Sequence, residues 1–220
     1  MELQEAMRTA ATVRRFRRDP IADDVLYRVL DAARFAPSGG NQQGWRVVVV
    51  RDTGTKGRLK ELYLRVWRPL YQARIAAGAP GGPHGARRPG TEAGNDYAEH
   101  MDELPVHLVV VVEVKALATP FQSIRESNFL AGSSIYPFVQ NVLLAARNEG
   151  LGAALTMLLN EAEPEVKELL AIPEGVALVA HIGLGWPAEP HPTRLTRRPV
   201  EEFAFVERFA GSPFRDPGSR

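Results

Sequence analysis

Residues 36–45 read APSGGNQQGW, from Ala36 to Trp45, and stand between an amphipathic stretch and the run Val47, Val48, Val49, Val50. Pro37 cannot continue a helix, and Ser38, Gly39 and Gly40 carry almost no side-chain bulk. The backbone there can therefore approach a flat or anionic ligand closely. Asn41 and Gln43 add amide groups that both donate and accept, as the edge of a heteroaromatic ring requires. The same residues would also serve as a plain helix-to-strand connection. The valine run predicts a buried strand beyond the loop.

On the N-terminal side, residues 2–11 predict a short helix leading into Arg14, Arg15, Phe16, Arg17 and Arg18. Asp19-Pro20 turns the chain, and Val25, Val29, Leu30 and Ala33 recur at helical spacing, predicting a helix over about 23–35. On the C-terminal side, residues 56–74 are helical in pattern, ending near Pro69 or Tyr71. Gly, Pro, His and Arg then dominate residues 78–95, which predict a loop or lid. A strand is expected over 106–114 and a long helix over 128–148. The apolar stripe of that helix spills onto Leu144 and Ala145, as in a helix that is central or at a subunit interface. Gly150-Leu151-Gly152 ends it and opens a strand over 153–159; a helix at 163–170 and a strand at 176–182 complete an α+β meander. The Pro- and Arg-rich tail is expected to wrap onto a partner subunit or to fray. One domain over 1–220 is expected, with a core at about 3–203, a lid at about 70–100 and an extension at about 186–220.

Composition narrows the classes. A formal net charge of +1 offers no electrostatic case for nucleic acid or an anionic membrane surface. With no Cys, disulfides, thiolate catalysis and thiolate-held metals are excluded. The histidines at 84, 100, 107, 181 and 191 show no paired ligand spacing, so no metal is expected. The first residues lack the apolar core of a signal peptide, and no stretch is long and apolar enough to span a bilayer, so the expected address is the cytoplasm.

Three further groups of residues carry chemistry. Arg14, Arg15, Arg17 and Arg18, with Thr12 beside them, present guanidinium and hydroxyl donors suited to a phosphate, or else form a solvated basic turn. Arg197-Arg198-Pro199 lies far off in the chain and could meet the same anion or be an ordinary basic tail. Leu155-Thr156-Met157 closes a strand after Gly-Leu-Gly, where backbone amides could face a ring beside a polarizable thioether, or where the residues are simply core. Ser38 lacks the G-x-S-x-G elbow of a hydrolase. Gly183-Leu184-Gly185-Trp186 begins like a dinucleotide fingerprint, but Pro187 and Ala188 spoil it.

Taken in order, these pieces resemble the nitroreductase family of FMN-dependent oxidoreductases. The resemblance runs over about residues 3–203 and rests on T-x-R-R-F (Thr12 to Phe16), the APSGGNxQ-x-W loop, NVLLAAR (Asn141 to Arg147), the GLG strand and R-R-P-x-E-E-F (Arg197 to Phe203). It implies a central, mostly antiparallel sheet flanked by helices, in an intertwined homodimer with FMN sites at the interface. It implies that Thr12 and Arg14 hold the phosphate, with Arg15 nearby and Arg197 joining from the tail. Pro37, Ser38, Gly39, Asn41 and Gln43 would line the flavin from the other subunit, and Leu155, Thr156 and Met157 would run along the ring. The implied reaction takes hydride from NADH or NADPH through flavin N5 to a small electron-poor acceptor (a nitroaromatic, quinone or enone) in ping-pong order, with no catalytic side chain. Reductive dehalogenation, flavin cleavage, or flavin binding without turnover are alternatives on the same scaffold. Two departures stand out. Many relatives carry R-R-S or R-H-S where this chain has Ala10, Ala11 and Thr12, and many have Pro where it has Gly44. Trp67, Tyr71 and Tyr97 are candidate stacking partners for the acceptor.

Overall fold

The computed structural model describes residues 1–76, 91–117 and 132–218. Strands β1 (Trp45–Val50), β2 (Val106–Glu113), β3 (Gly152–Thr156) and β4 (Val176–Gly185) form an antiparallel sheet in the order β1-β2-β4-β3. The helices are α1 (Leu3–Thr9), α2 (Asp23–Ala33), α3 (Thr53–Ala76), α4 (Thr91–His100), α5 (Tyr136–Asn148) and α6 (Glu163–Leu169). Alternation along the strands sends side chains to two cores. Val106, Leu108, Val110, Ala153, Ile182 and Leu184 pack under α2 and α5. Val109, Val111, Ala154 and Leu178 pack under α3, α4 and α6. Because both faces are covered, β2 and β4 read as nearly unbroken apolar runs.

Several expectations change. The valine run of β1 is an edge strand rather than a fully buried one, with Val49 exposed; the strand buried along its length is β2. The strands do not form a meander, since β4 inserts between β2 and β3. A bulge at Val110/Val111 shifts the β2–β4 register, so adjacent Val179 and Ala180 both face the α2–α5 core. α3 does not stop at Pro69 but runs to Ala76. The rings of Tyr63, Trp67 and Tyr71 stack on successive turns with centroids 6.3 and 5.9 Å apart, and α4 packs alongside, offsetting the one backbone bond that proline removes. Residues 91–100 are helix, not loop, whereas 77–90 of the expected lid lie outside the described residues. The helix expected over 128–148 begins at Tyr136; residues 128–131 lie outside the described set. β3 ends at Thr156, and residues 158–162 form a tight 3-10 segment instead of continuing it. Among the described residues no helix is long and apolar enough to cross a membrane.

The core under α3 and α4 contains one polar cluster. His107 on β2 and His181 on β4 are fully buried, and their Nδ1 and Nε2 atoms lie 2.7 Å apart. The His107 Nε2 lies 2.7 Å from the Met101 carbonyl, which can only accept, so that nitrogen carries the proton. His107 Nδ1 is then bare and accepts from the His181 Nε2–H, leaving the His181 Nδ1 lone pair without a partner. Lys56 is buried nearby and donates from Nζ to the Leu104 carbonyl at 2.7 Å. Burial disfavours an imidazolium in this core, holding His107 down to about 4 from an ordinary 6.5 and His181 well below its usual range.

Unfolded histidines take up protons near pH 6.5, whereas folded His107 resists until about pH 4 and His181 is held down in the same direction by burial and by His107. The stability contributed by the neutral pair is therefore complete above pH 6.5 and is lost as pH falls from there to about 4; for His107 alone the loss is on the order of 3 kcal/mol. Calorimetric melting between pH 7.5 and 4 should show this decline. The double substitution His107→Gln/His181→Gln, neutral throughout, should lower the plateau but flatten the decline; an unchanged slope would assign it to other groups.

Candidate functional site

The free edge of β3 is where the sequence-predicted residues converge. The segment after α1 meets it at a parallel bridge, Thr12 to Ala153, with the Val13 N–H donating to the Ala153 carbonyl at 2.9 Å. A side chain on Gly152 would stand 2.7 Å from Val13 Cβ, so the second glycine of Gly-Leu-Gly is what lets the segment dock. The chain then crosses to β4, where Phe16 bridges Pro187 and the Arg17 N–H donates to the Trp186 carbonyl at 2.8 Å.

This crossing puts Thr12 and Arg14 beside different pockets. Thr12 lines a small pocket of about 50 Å³ on the α5 side, with Ala10, Ala11, Ala153, Leu155, Arg147 and His191. Arg14 borders a larger one of about 220 Å³ on the α4 side, with Arg15, Arg18, Tyr97 and His100. Arg15 is paired with Asp96 at 3.3 Å and Glu189 at 3.5 Å, and Arg18 with Glu103 at 2.6 Å. Half-buried Arg14 has no carboxylate partner among the described residues; its charge acts on Tyr63 and Tyr97, opposing the burial that pushes both phenols up. The Tyr63 hydroxyl lies 3.3 Å from Thr156 Oγ1, which also accepts from the Leu158 N–H at 3.3 Å. Arg14 thus sits on the Thr156 side of the strand.

Met157, just past β3, is exposed, and its sulfur accepts from the Tyr136 hydroxyl at 3.8 Å at the start of α5. The loop 36–45 is held at the same end of α5, the Gly39 N–H donating to Ser134 Oγ at 2.9 Å. Inside the loop the Gln43 N–H donates to Ser38 Oγ at 3.0 Å, and the Gln43 amide to Asn41 Oδ1 at 3.0 Å. Gly40, Asn41 and Gln43 all have positive φ, at 58°, 54° and 48°. Two side-chain-bearing residues held in that region mark stored strain on an exposed loop, the kind found at ligand-binding sites. Gly44 is buried, and a Cβ there would overlap Ala116, so the residue expected to be Pro in relatives has no room for a side chain here. Trp45 anchors the exit by stacking on Phe138, centroids 5.0 Å apart.

The placements are thus uneven. Thr12 and Leu155 share a pocket, Arg14 and Arg15 share another, and Thr156 and Met157 close β3 between them. Among the described residues, the polar contacts of Pro37, Ser38, Gly39, Asn41 and Gln43 stay within the loop apart from two, the Gly39 N–H donating to Ser134 and Arg46 donating to the Gln43 carbonyl at 3.1 Å. Arg197 is exposed and donates to the Thr196 carbonyl at 2.8 Å, although the tail touches α1 two residues earlier, where the Leu195 N–H meets the Arg8 carbonyl at 2.9 Å. Trp67 and Tyr97 are buried in the core, Tyr97 also bordering the larger pocket, and Tyr71 is partly open. Tyr63, Arg147 and His191 were not singled out by sequence. Arg147 carried one signal, a cation closing an apolar helix just before Gly-Leu-Gly; His191 carried none.

A model of the Nitroreductase family matches residues 7–186. The NADH dehydrogenase of Thermus thermophilus is 32% identical over 191 residues, covering 81% of this chain and 83% of the relative. The 5,6-dimethylbenzimidazole synthase of Rhodospirillum rubrum is 31% identical over 192 residues, covering 82% and 79%. The structure of oxidized iodotyrosine deiodinase bound to FMN and 3-iodo-L-tyrosine superposes with a TM-score of 0.71 at 24% identity, spanning 94% of this chain and 100% of that one, a likeness of fold.

Gly152→Ala should test the docking of residues 10–16. The added methyl strikes Val13, so urea unfolding should show a loss of about 1–3 kcal/mol, and limited proteolysis should cut first near residues 10–18. Unchanged stability would mean that the segment is held elsewhere.

Proposed function

This chain belongs to the nitroreductase family, and from that premise we propose that it is an FMN-dependent oxidoreductase, taking hydride from NADH or NADPH and passing it to a small electron-poor acceptor such as a nitroaromatic, quinone or enone. The observation that carries the reading is the free edge of β3. There an arginine with no counter-ion among the described residues, a threonine hydroxyl and an exposed methionine surround a strand end, and a strained loop rich in amides lies beyond the adjoining helix. That donor set suits a flavin mononucleotide: cationic and hydroxyl groups for the phosphate and ring edge, apolar Leu155 and Met157 for the ring face.

Bound FMN supplies the hydride chemistry. In this reading the protein orients and stabilises. Leu155, Thr156 and Met157 lie along the ring. Arg14, which sequence reasoning set at the phosphate with Thr12, stands instead on the Thr156 side, where its charge favours negative charge gathering at the ring edge. Thr12 stays at the phosphate end with Ala10 and Ala11. Arg15 is engaged by Asp96 and Glu189 and reaches a phosphate only by releasing them. Arg197, Pro37, Ser38, Gly39, Asn41 and Gln43 act across a homodimer interface, each protomer completing its partner's site. Exposed Phe35, Tyr136, Phe203, Phe209 and Phe214 are the apolar surface such an interface would cover. Relatives named for deiodination and for 5,6-dimethylbenzimidazole synthesis keep dehalogenation and flavin cleavage as second readings on the same cofactor site.

The purified protein should be yellow, dimeric by light scattering, and bleached anaerobically by one equivalent of NADH or NADPH per flavin, with colour returning on addition of a quinone or nitroaromatic. Arg14→Met should slow the bleaching roughly 100-fold with flavin still bound. A protein that takes up no FMN would overturn the reading. A yellow protein that neither donor bleaches would leave a binding module.

A further inference from the structure

Arg147 sits in the last turn of α5, beside the pocket lined by Ala10, Ala11, Thr12 and Leu155. It is half-buried and has no carboxylate partner among the described residues. Its Nε donates to Thr9 Oγ1 at 2.9 Å, and the Thr9 hydroxyl donates in turn to the Glu5 carbonyl at 2.7 Å. Among the described residues the guanidinium is thus oriented through one edge, leaving its two terminal nitrogens for another acceptor. His191, from the tail, lines the same pocket; its ring nitrogens are shut off from solvent against the backbone of Gly150 and Leu151, and burial together with the Arg147 charge holds it below its usual range, so the ring is neutral. A half-buried guanidinium with two nitrogens turned to a pocket, and no carboxylate partner among the described residues, is an arrangement that a phosphate resolves, accepting from both nitrogens at once.

The sequence says what is missing here. Ala10 and Ala11, the two residues before Thr12, both line this pocket and offer it no charge. Short side chains at those positions leave the pocket open toward α5 and the tail. We propose that Arg147 forms the phosphate clamp of this protein, supplying from α5 the cationic contact that Ala10 and Ala11 do not, with neutral His191 of the tail closing the pocket beside it. The inference rests on the FMN reading above and specifies which residues read the phosphomonoester. Thr9 acts as a positioning residue that holds the guanidinium in place.

The test compares FMN with riboflavin, which differ only in the phosphate, by fluorescence titration of the full chain freed of flavin. The unsubstituted protein should prefer FMN. Arg147→Gln should weaken FMN binding about tenfold or more while leaving riboflavin unchanged, and Arg147→Lys should keep most of the preference. His191→Gln should cut the preference by a smaller factor. Ala11→Asp, which leaves the Thr9 contact alone and sets a carboxylate beside Arg147, should also abolish the preference and serves if Arg147→Gln does not fold. An unchanged FMN-to-riboflavin ratio in these variants, or an equal loss for both flavins, would overturn the clamp with the cofactor reading intact. No flavin binding by the unsubstituted protein would overturn both.

Discussion

Val13 lies against the α-carbon of Gly152, and that contact organises one side of the molecule. β3 is an edge strand of only five residues, and an edge strand offers backbone groups that something must cover. Here the segment after α1 covers them. Because β3 carries glycine where Val13 arrives, the segment comes close enough for the Val13 N–H to bond Ala153, then passes over the end of β4 to Trp186. Thr12 is left on one side of the edge and Arg14 on the other. A bulkier residue at 152 would separate both from the strand whose end they are proposed to serve.

Charge placement around that edge is selective. Most arginines on the described surface are paired with carboxylates, as Arg15, Arg18 and Arg28 are, and exposed pairs of this kind contribute little to stability. Arg14 and Arg147 are half-buried and have no carboxylate partner among the described residues, so the Thr9 hydroxyl is all that offsets the lost solvation of Arg147 there. Such an arrangement is expected where a ligand supplies the counter-charge. The buried histidines follow the opposite rule: they remain neutral, His181 donating to His107 while its own Nδ1 has no partner among the described residues.

How much was legible beforehand follows from the range of the forces involved. Residues 36–45 were readable because proline, glycine and serine act on their own backbone. Even so, the positive φ of Asn41 and Gln43 and the tight contact of Gly44 with Ala116 depend on α5 and on the segment after β2. The valine run looked buried because apolar alternation does not report which strand lies at an edge. Pro69 looked like a helix end because the stacking of Tyr63, Trp67 and Tyr71 that carries α3 past it is tertiary.

The sequence alone determined the periodicities, the breaks between elements and the residue types offered to a ligand, since each depends on neighbours within a turn or two. It determined the family for the same reason, as ordered motifs at set spacings. Tertiary structure decided where those residues face. It divided Thr12 from Arg14, turned Arg15 toward Asp96 and Glu189, and brought Arg147 and His191 beside alanines more than 130 positions earlier. No local rule contains that meeting, because it arises only when α5, the tail and the N-terminal segment converge on one strand edge.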